Sequence, residues 1–285
     1  MDEKAARDEI DRIAANSKVV PTPCGEGSMP FRLWRGAESS TPVVLVHGGS
    51  GSWTHWIANV GPLSAAHVVV TPDLPGLGDA AALPQGYTAQ DAADWVRRGI
   101  SRVLDDEPFH LVGFSWGATI ASMVAAANER VRSLMLVGPA ALGDMPRRSA
   151  MKPLIRRSRD MSPAEVLETN RENLARLMIH DRRRIDDLAA WLQTFNTNRS
   201  RFNSPQFARS SLVLEHIARS TAPLQVLYGE FDAPAWPDFE TRRQRILAVR
   251  PDAGFEIVPS AGHWLQYECA DEFNARCLAW LAANQ

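Results

Sequence analysis

Short apolar runs alternate with amphipathic segments along most of the 285-residue chain. The apolar runs have the length of strands and are bounded by turn-forming residues, whereas the amphipathic segments are longer and have helical spacing. Near-continuous apolar strands separated by helices are typical of a parallel sheet that is buried on both faces. Predicted strands lie at 43–46, 67–71, 109–112, 134–137, 223–228 and 255–258, and predicted helices at 53–63, 88–104 and 118–128.

The predicted fold class is therefore α/β, with a mostly parallel central sheet flanked by helices. Before the first parallel strand, residues 18–21 and 31–34 are predicted to form a hairpin, and residues 1–16 a short helix or a mobile tail. Thr88 with Asp91 three residues later resembles a capping box at the start of a helix.

Residues 145–220 interrupt the alternation, because they contain several helical segments and no convincing strand. We predict an inserted helical cap there, between two parts of one catalytic core at 1–144 and 221–285. The insertion has 15 basic and 8 acidic residues, a net charge of +7, whereas the rest has 16 and 25, a net charge of −9. A basic cap could attract an anionic substrate, although a solvated helical surface explains the charge equally well, above all at 182–184.

The sequence Gly113-Phe114-Ser115-Trp116-Gly117 follows a predicted strand and precedes a predicted helix. This is the strand–turn–helix context of a G-x-S-x-G nucleophile elbow, in which the two glycines let neighbouring backbone approach a sharply turned serine. A serine hydroxyl is a poor nucleophile unless a base and a group that orients the base lie nearby. Ser115 is the predicted nucleophile.

Two loops after later strands carry the partners that a serine nucleophile requires. Asp232 follows the strand at 223–228, and His263 follows the strand at 255–258. The chain order Ser, Asp, His is that of α/β-hydrolase triads, and loops at one edge of a parallel sheet can meet at one point. Glu230 and Asp144 are the alternative carboxylates.

An oxyanion formed by serine attack requires N–H donors. The Trp116 N–H directly follows the nucleophile, and a second donor is expected from the glycine-rich turn at 47–51, which we call the donor turn. We predict Gly49 as that donor, with His47 shaping the turn.

These motifs together resemble the α/β-hydrolase superfamily, through H-G-G at 47–49, D-L-P-G-L-G at 73–78, G-F-S-W-G at 113–117, G-E-F-D at 229–232 and G-H-W at 262–264. The segment at 262–274 further resembles the meta-cleavage-product hydrolases, which cut a carbon–carbon bond in ring-fission dienoates. Those enzymes usually carry asparagine before the nucleophile and G-P-G in the donor turn, where this chain has Phe114 and Gly49-Ser50-Gly51. The sequence is therefore at least as consistent with a carboxylic ester as the substrate as it is with a dienoate.

Five residues are candidates for substrate binding. In the resembled carbon–carbon hydrolases a tryptophan after the catalytic histidine lines the pocket, but packing of the C-terminal helix would explain Trp264 equally well. Arginines can bind a substrate carboxylate through two hydrogen bonds. The candidates are Trp264, Trp53, Phe114, Arg199 and Arg201.

Composition changes this picture little. A hydrophobic fraction of 45%, a charged fraction of 22% and a net charge of −2 favour a soluble protein with a small-molecule substrate and neither a nucleic-acid nor a membrane partner. No apolar run approaches the roughly 18 residues of a membrane span, and we expect a cytoplasmic location. Cys24, Cys269 and Cys277 have no metal-ligand spacing and are expected to be free thiols.

No phosphate-binding glycine motif is present, so we expect neither a cofactor nor a metal. Oligomeric state is left open, and a homo-oligomer is compatible with the sequence. The functional prediction is a serine hydrolase that forms a covalent acyl-enzyme on a small, anionic carboxylic ester. The alternatives are a carbon–carbon hydrolase of a dienoate and, in another class, a ligand receptor with the hydrolase fold and little turnover.

Overall fold

An eight-stranded sheet forms the centre of the protein in a computed structural model that describes residues 1–36, 40–145 and 151–285. The strand order is β1-β2-β4-β3-β5-β6-β7-β8. β1 and β2 pair antiparallel, as do β2 and β4, and every other neighbouring pair is parallel. The strands are β1 (Ser17–Cys24), β2 (Gly27–Trp34), β3 (Val43–Val46), β4 (Val69–Pro72), β5 (Phe109–Phe114), β6 (Val131–Val137), β7 (Leu224–Gly229) and β8 (Gly254–Val258). The predicted fold class is confirmed.

Ten α-helices flank this sheet within the described residues. α3 begins as predicted, because the Thr88 hydroxyl accepts the Asp91 N–H and the Asp91 carboxylate accepts the Thr88 N–H. The helices are α1 (Glu3–Ala14), α2 (Val60–Ser64), α3 (Ala89–Leu104), α4 (Trp116–Ala126), α5 (Pro163–Leu177), α6 (Asp187–Asn198), α7 (Leu212–Ile217), α8 (Phe239–Val249), α9 (Leu265–Glu268) and α10 (Ala270–Ala283). None of the helices in the described ranges is long and apolar enough to cross a membrane.

The single helix predicted at 53–63 is wrong. The chain instead forms a 3₁₀ turn at Trp53–Trp56 and restarts as α2 at Val60. Pro62 has no N–H to donate and is tolerated only in the first turn of a helix, so a continuous helix through it is unfavourable. The buried Asn59 side chain occupies the break and donates to the Gln266 carbonyl at 2.8 Å.

Apolar side chains from the two faces of the sheet enter different cores. In β3, Val44 and Val46 join the core formed with α3 and α4, whereas Leu45 joins the core on the opposite face. Every side chain of β3 is buried, as expected for a strand that is covered on both sides. The near-continuous apolar run therefore reflects the position of the strand at the centre of the sheet.

The chain between β6 and β7 contains two kinds of element. α7 packs against α4, and its Val213 and Ile217 belong to the same core as the central helices. α5 and α6 pack against each other and place Leu174 and Leu192 in the core of the other face. We propose that α5 and α6 form the cap and that α7 belongs to the sheet layer. Residues 146–150 of the predicted insertion lie outside the described residues.

Candidate active site

Ser115 lies on the sharp turn between β5 and α4. Its φ of 52° and ψ of −113° are in a region that side-chain-bearing residues rarely adopt. Its N–H donates to the Val137 carbonyl at 2.8 Å, which ties the turn to the neighbouring strand. A Cβ on Gly117 would lie 2.2 Å from the Val46 carbonyl oxygen, so only glycine lets α4 approach β3 this closely. The turn thus has the local geometry expected of a nucleophile elbow.

His263 and Asp232 are joined by a hydrogen bond of 2.8 Å between Nδ1 and Oδ2. Asp232 is fully buried, and His263 is 5% exposed. An ionised carboxylate can only accept, so the proton of a neutral His263 lies on Nδ1 and leaves Nε2 as an acceptor. In this orientation Nε2 has the lone pair that a general base requires.

The backbone beside Ser115 brings this pair close to the turn. Gly138 follows Val137, whose carbonyl accepts the Ser115 N–H. Gly138 has a φ of 54°, and a Cβ there would lie 2.9 Å from both Asp232 Oδ2 and His263 Nδ1. The Phe114 ring lies 5.0 Å from the His263 ring. In the described parts of the chain no hydrogen bond joins Ser115 Oγ to His263 Nε2, and such bonds are commonly long before substrate binds.

The alternative carboxylates lie elsewhere. Glu230 is exposed and accepts the Ser260 N–H at 2.9 Å. Asp144 is exposed and pairs with Arg209. Of the carboxylates considered from the sequence, Asp232 is the one that the structure places against an imidazole.

The donor turn and the start of α4 each have one N–H group without a protein acceptor near Ser115. The Gly48 N–H is taken by His55 Nδ1 at 3.2 Å. His47 Nε2 accepts the Leu74 N–H at 2.8 Å, so this imidazole anchors the turn. Within the described ranges the N–H groups of Gly49 and Trp116 donate to no protein atom. These two groups are free to bind an oxyanion.

Two further imidazoles lie near the turn, but burial keeps them neutral. Burial lowers the pKa of His47 to about 4. The pKa of His55 is held well below its ordinary value, first by burial and then by the charges that His47 and His263 would carry. Neither has a carboxylate partner among the described residues. Their roles in the structure are packing and hydrogen bonding of the donor turn.

Glu268 joins the segment after α5 to the loop that carries His263. Its buried carboxylate accepts three backbone N–H groups, from His180 at 3.0 Å and from Asp181 and Gly262 at 2.7 Å each. Because residues 180 and 181 follow α5 and Gly262 precedes His263, one side chain fixes the position of both segments. Glu268 lies in the C-terminal segment that carries the family resemblance, but nothing in the sequence pattern distinguishes it from a surface carboxylate.

A hydrogen-bonded cluster attaches α6 to the chain after the donor turn. The Asn196 side chain accepts from Ser52 Oγ at 2.8 Å and donates to Thr54 Oγ1 at 3.0 Å. All three side chains are buried, so their polar groups depend on one another rather than on water.

The aromatic candidates for substrate binding are mostly packing residues. Trp264 is 1% exposed and donates from Nε1 to the His55 carbonyl at 2.9 Å. Trp53 packs on Trp34 with ring centroids 5.3 Å apart. Phe114 is 1% exposed and contacts the His263 ring described above. Of these three, the structure brings Phe114 into contact with a member of the proposed triad.

The arginine candidates bind a surface turn. Arg199 pairs with Asp79 at 3.5 Å, and Arg201 donates to the carbonyls of Gly78 and Ala80. Among the described contacts of Arg199 and Arg201, none involves Ser115. The structure therefore does not bring these side chains to the elbow.

A cavity of about 340 Å³ lies between the end of α5 and the loop after β7. Its lining includes Phe231 and Gly262, which are chain neighbours of Asp232 and His263 respectively. Lys152, Arg176 and Arg182 also line it, and Glu172 pairs with both arginines. Three cations against one carboxylate make the cavity electropositive.

No cluster that could hold a metal ion occurs within the described residues. The cysteines, Cys24, Cys269 and Cys277, are free thiols. Burial raises the pKa of Cys277 to about 12, which is the behaviour of a small buried hydrophobe rather than of a nucleophile.

The fold and the elbow identify the class of protein. Residues 43–276 match the alpha/beta hydrolase family, and the chain belongs to that family. The predicted resemblance to α/β-hydrolases, and among them to the meta-cleavage-product hydrolases, is confirmed.

Similar proteins differ in their named activities. The chain is 28% identical over 275 residues to the 2-hydroxy-6-oxononadienedioate/2-hydroxy-6-oxononatrienedioate hydrolase of Cupriavidus pinatubonensis. This match covers 90% of this chain and 92% of the relative. It is also 28% identical over 260 residues to the dihydrolipoyllysine-residue acetyltransferase component of the acetoin cleaving system of Pseudomonas putida. That match covers 86% of this chain but only 65% of the relative's length. The match to the same component from Cupriavidus necator covers 62% of that relative's length. The crystal structure of naproxen esterase from Bacillus subtilis has a TM-score of 0.75 at 19% identity, covers 98% of each chain and supports the fold.

Proposed function

We propose that this protein is a serine hydrolase in which Ser115 is the nucleophile, His263 the general base and Asp232 the residue that orients the imidazole. The observation that carries the proposal is the buried 2.8 Å hydrogen bond between His263 and Asp232 beside a strained serine turn. Free N–H groups on Gly49 and Trp116 complete the set of groups that acyl transfer requires.

In the first half of the reaction, Ser115 Oγ attacks the carbonyl carbon of the ester as His263 Nε2 removes the hydroxyl proton. The negative charge that develops on the carbonyl oxygen is bound by the two N–H donors. The tetrahedral intermediate then collapses, and the leaving alcohol takes the proton from His263. Water attacks the acyl-enzyme in the same way, so the acid is released and Ser115 regains its proton.

For the substrate we propose a small carboxylic ester that carries a negative charge. The electropositive cavity supports this proposal, because Lys152, Arg176 and Arg182 line it while Phe231 and Gly262 connect it to the loops of the proposed triad. A carboxylate or another anionic group of the substrate would lie toward these cations, and the ester group toward Ser115.

The second candidate is carbon–carbon hydrolysis of a meta-cleavage-type dienoate. It is favoured by the relative from Cupriavidus pinatubonensis, whose named activity is of this kind and which is similar over nearly the whole of both chains. A dienoate also carries a carboxylate, so the electropositive cavity fits this candidate equally well. Phe114, which has no hydrogen-bond donor in its side chain, favours the ester.

The test uses purified wild-type protein and the Ser115→Ala variant with two panels of substrates, anionic and neutral esters in one and ring-fission dienoates in the other. Wild-type protein should be labelled by a fluorophosphonate and hydrolyse esters, and Ser115→Ala should do neither. Turnover by Ser115→Ala would remove Ser115 from the mechanism. Consumption of dienoates without ester hydrolysis would select the second candidate. Tight binding of an ester without product would indicate a receptor.

A further inference from the structure

One segment that follows α6 crosses the donor turn. We call this segment, residues 200–207, the crossing segment. Its Ser200 Oγ lies 3.3 Å from Ser50 Oγ. The Arg201 N–H donates to the Gly76 carbonyl at 2.8 Å. The crossing segment is thus attached to two loops of the sheet layer, and Ser50 is the residue next to the proposed oxyanion donor Gly49.

Aromatic packing fixes the same segment over the start of α4. Phe202 and Phe207 each lie 5.1 Å from the Trp116 ring, and the Phe207 ring is stacked on it at an interplanar angle of 22°. Trp116 supplies the other proposed donor. Contacts on either side of Ser204 therefore hold the 3₁₀ turn that begins there, Ser204–Phe207, against both donor-bearing residues.

The Ser204 hydroxyl itself touches Gly49. A Cβ placed on Gly49 would lie 2.0 Å from Ser204 Oγ and 3.7 Å from Trp116 Cβ, so only a glycine at position 49 leaves room for the hydroxyl. Ser204 is half-buried, and within the described ranges its Oγ has no hydrogen-bond partner. A hydroxyl that is held against the donor residue and bonds to nothing else is available to a ligand.

We propose that the Ser204 hydroxyl is a third hydrogen-bond donor to the carbonyl oxygen of the substrate, beside the N–H groups of Gly49 and Trp116. This inference rests on the proposed function, because it requires Ser115 attack to create the charge that the hydroxyl stabilises. The hydroxyl donates a hydrogen bond and keeps its proton, so no bond to Ser204 forms or breaks. Hydrogen bonds to a developing anion are stronger than those to a neutral carbonyl, so the effect should appear in the transition state.

The test compares Ser204→Ala, Ser204→Thr and the control Ser210→Ala in ester hydrolysis. Ser210 follows the crossing segment, and its hydroxyl donates to the Phe207 carbonyl at 2.7 Å. We expect Ser204→Ala to lower kcat about 10- to 100-fold while KM changes by less than about threefold. Ser204→Thr, which keeps the hydroxyl, should retain most of the activity, and Ser210→Ala should match the wild type.

A trifluoromethyl ketone that forms a reversible tetrahedral adduct with Ser115 gives a readout that a purely structural role would not change. Its affinity should fall in Ser204→Ala by the same factor as kcat/KM, with thermal stability unchanged. The inference is overturned if kcat of Ser204→Ala stays within about twofold of wild type, if Ser204→Thr loses as much as Ser204→Ala, or if ketone affinity is unaffected. Activity in Ser115→Ala would instead overturn the proposed function itself.

Discussion

Replacing Glu268 by glutamine should destabilise the protein and loosen the loop that carries His263. The carboxylate receives three backbone N–H groups, two on Oε2 from His180 and Gly262 and one on Oε1 from Asp181. A glutamine has a single carbonyl oxygen, and its NH₂ group is itself a donor. If the amide oxygen replaces Oε2, the NH₂ group faces the Asp181 N–H, and two donors then meet in a buried position.

The expected magnitude follows from these bonds. A hydrogen bond to a charged group contributes about 1.5–3 kcal/mol, a neutral one about 1 kcal/mol, and a buried donor without a partner costs about 1–3 kcal/mol. In Glu268→Gln two hydrogen bonds are weakened and one is lost, but a neutral amide costs less to desolvate than a carboxylate. The net loss in the free energy of unfolding should be about 2–4 kcal/mol.

Chemical denaturation followed by tryptophan fluorescence measures this loss through the shift in midpoint. The matched control is Glu240→Gln, since Glu240 is exposed and bonds to Gln244, and it should change stability by less than about 0.5 kcal/mol. Amide exchange should accelerate at 178–182 and at 260–264 in Glu268→Gln but not in the control. A loss below about 1 kcal/mol, or unchanged exchange in both segments, would refute the idea that this carboxylate holds the two segments together.

Three further outcomes are expected. Gly117→Ala should lose more than about 3 kcal/mol of stability in chemical denaturation, because its Cβ would lie 2.2 Å from the Val46 carbonyl oxygen. The control Gly61→Ala, whose Cβ meets nothing within 4 Å, should change the stability by less than about 1 kcal/mol. Ser115→Gly should be about 1 kcal/mol more stable than Ser115→Ala, because glycine tolerates the φ of 52°, and equal stabilities would argue against strain at the elbow. Between pH 6.5 and 4 the unfolded chain binds a proton at His47 that the buried ring does not, so stability should fall by up to about 3 kcal/mol as pH falls. Denaturation at several pH values should show a smaller decrease in His47→Gln.

The central strands and the elbow were predictable because each depends on a local pattern. The run at 43–46 is apolar throughout, and the structure buries all of β3. Glycines at 113 and 117 flank a serine between a strand and a helix, and the structure places Ser115, with a φ of 52°, on the sharp turn that this pattern predicts. Asp232 and His263 could be selected because loops after parallel strands converge at one edge of the sheet.

What the sequence could not supply depends on tertiary contacts. Apolar spacing extended one helix through 53–63, and Asn59, bonded to a carbonyl more than 200 residues away, occupies the break instead. The sequence predicts α7 as one more helix of the insertion, and only its tertiary packing against α4 separates it from α5 and α6. Glu268 and Ser204 are single polar residues in a motif and a loop, and only the positions of their neighbours in space reveal what they touch.

The Asn196 cluster fixes the position of α6 relative to the donor turn. Apolar surfaces tolerate small shifts in register, but an amide that bonds two hydroxyls at once accepts one arrangement. Hydrogen bonds of fixed direction thus attach α6, one of the two proposed cap helices, to Ser52 and Thr54, just beyond the donor turn. Substitutions in the loops on either side of α6 should therefore leave the position of this helix relative to the donor turn unchanged.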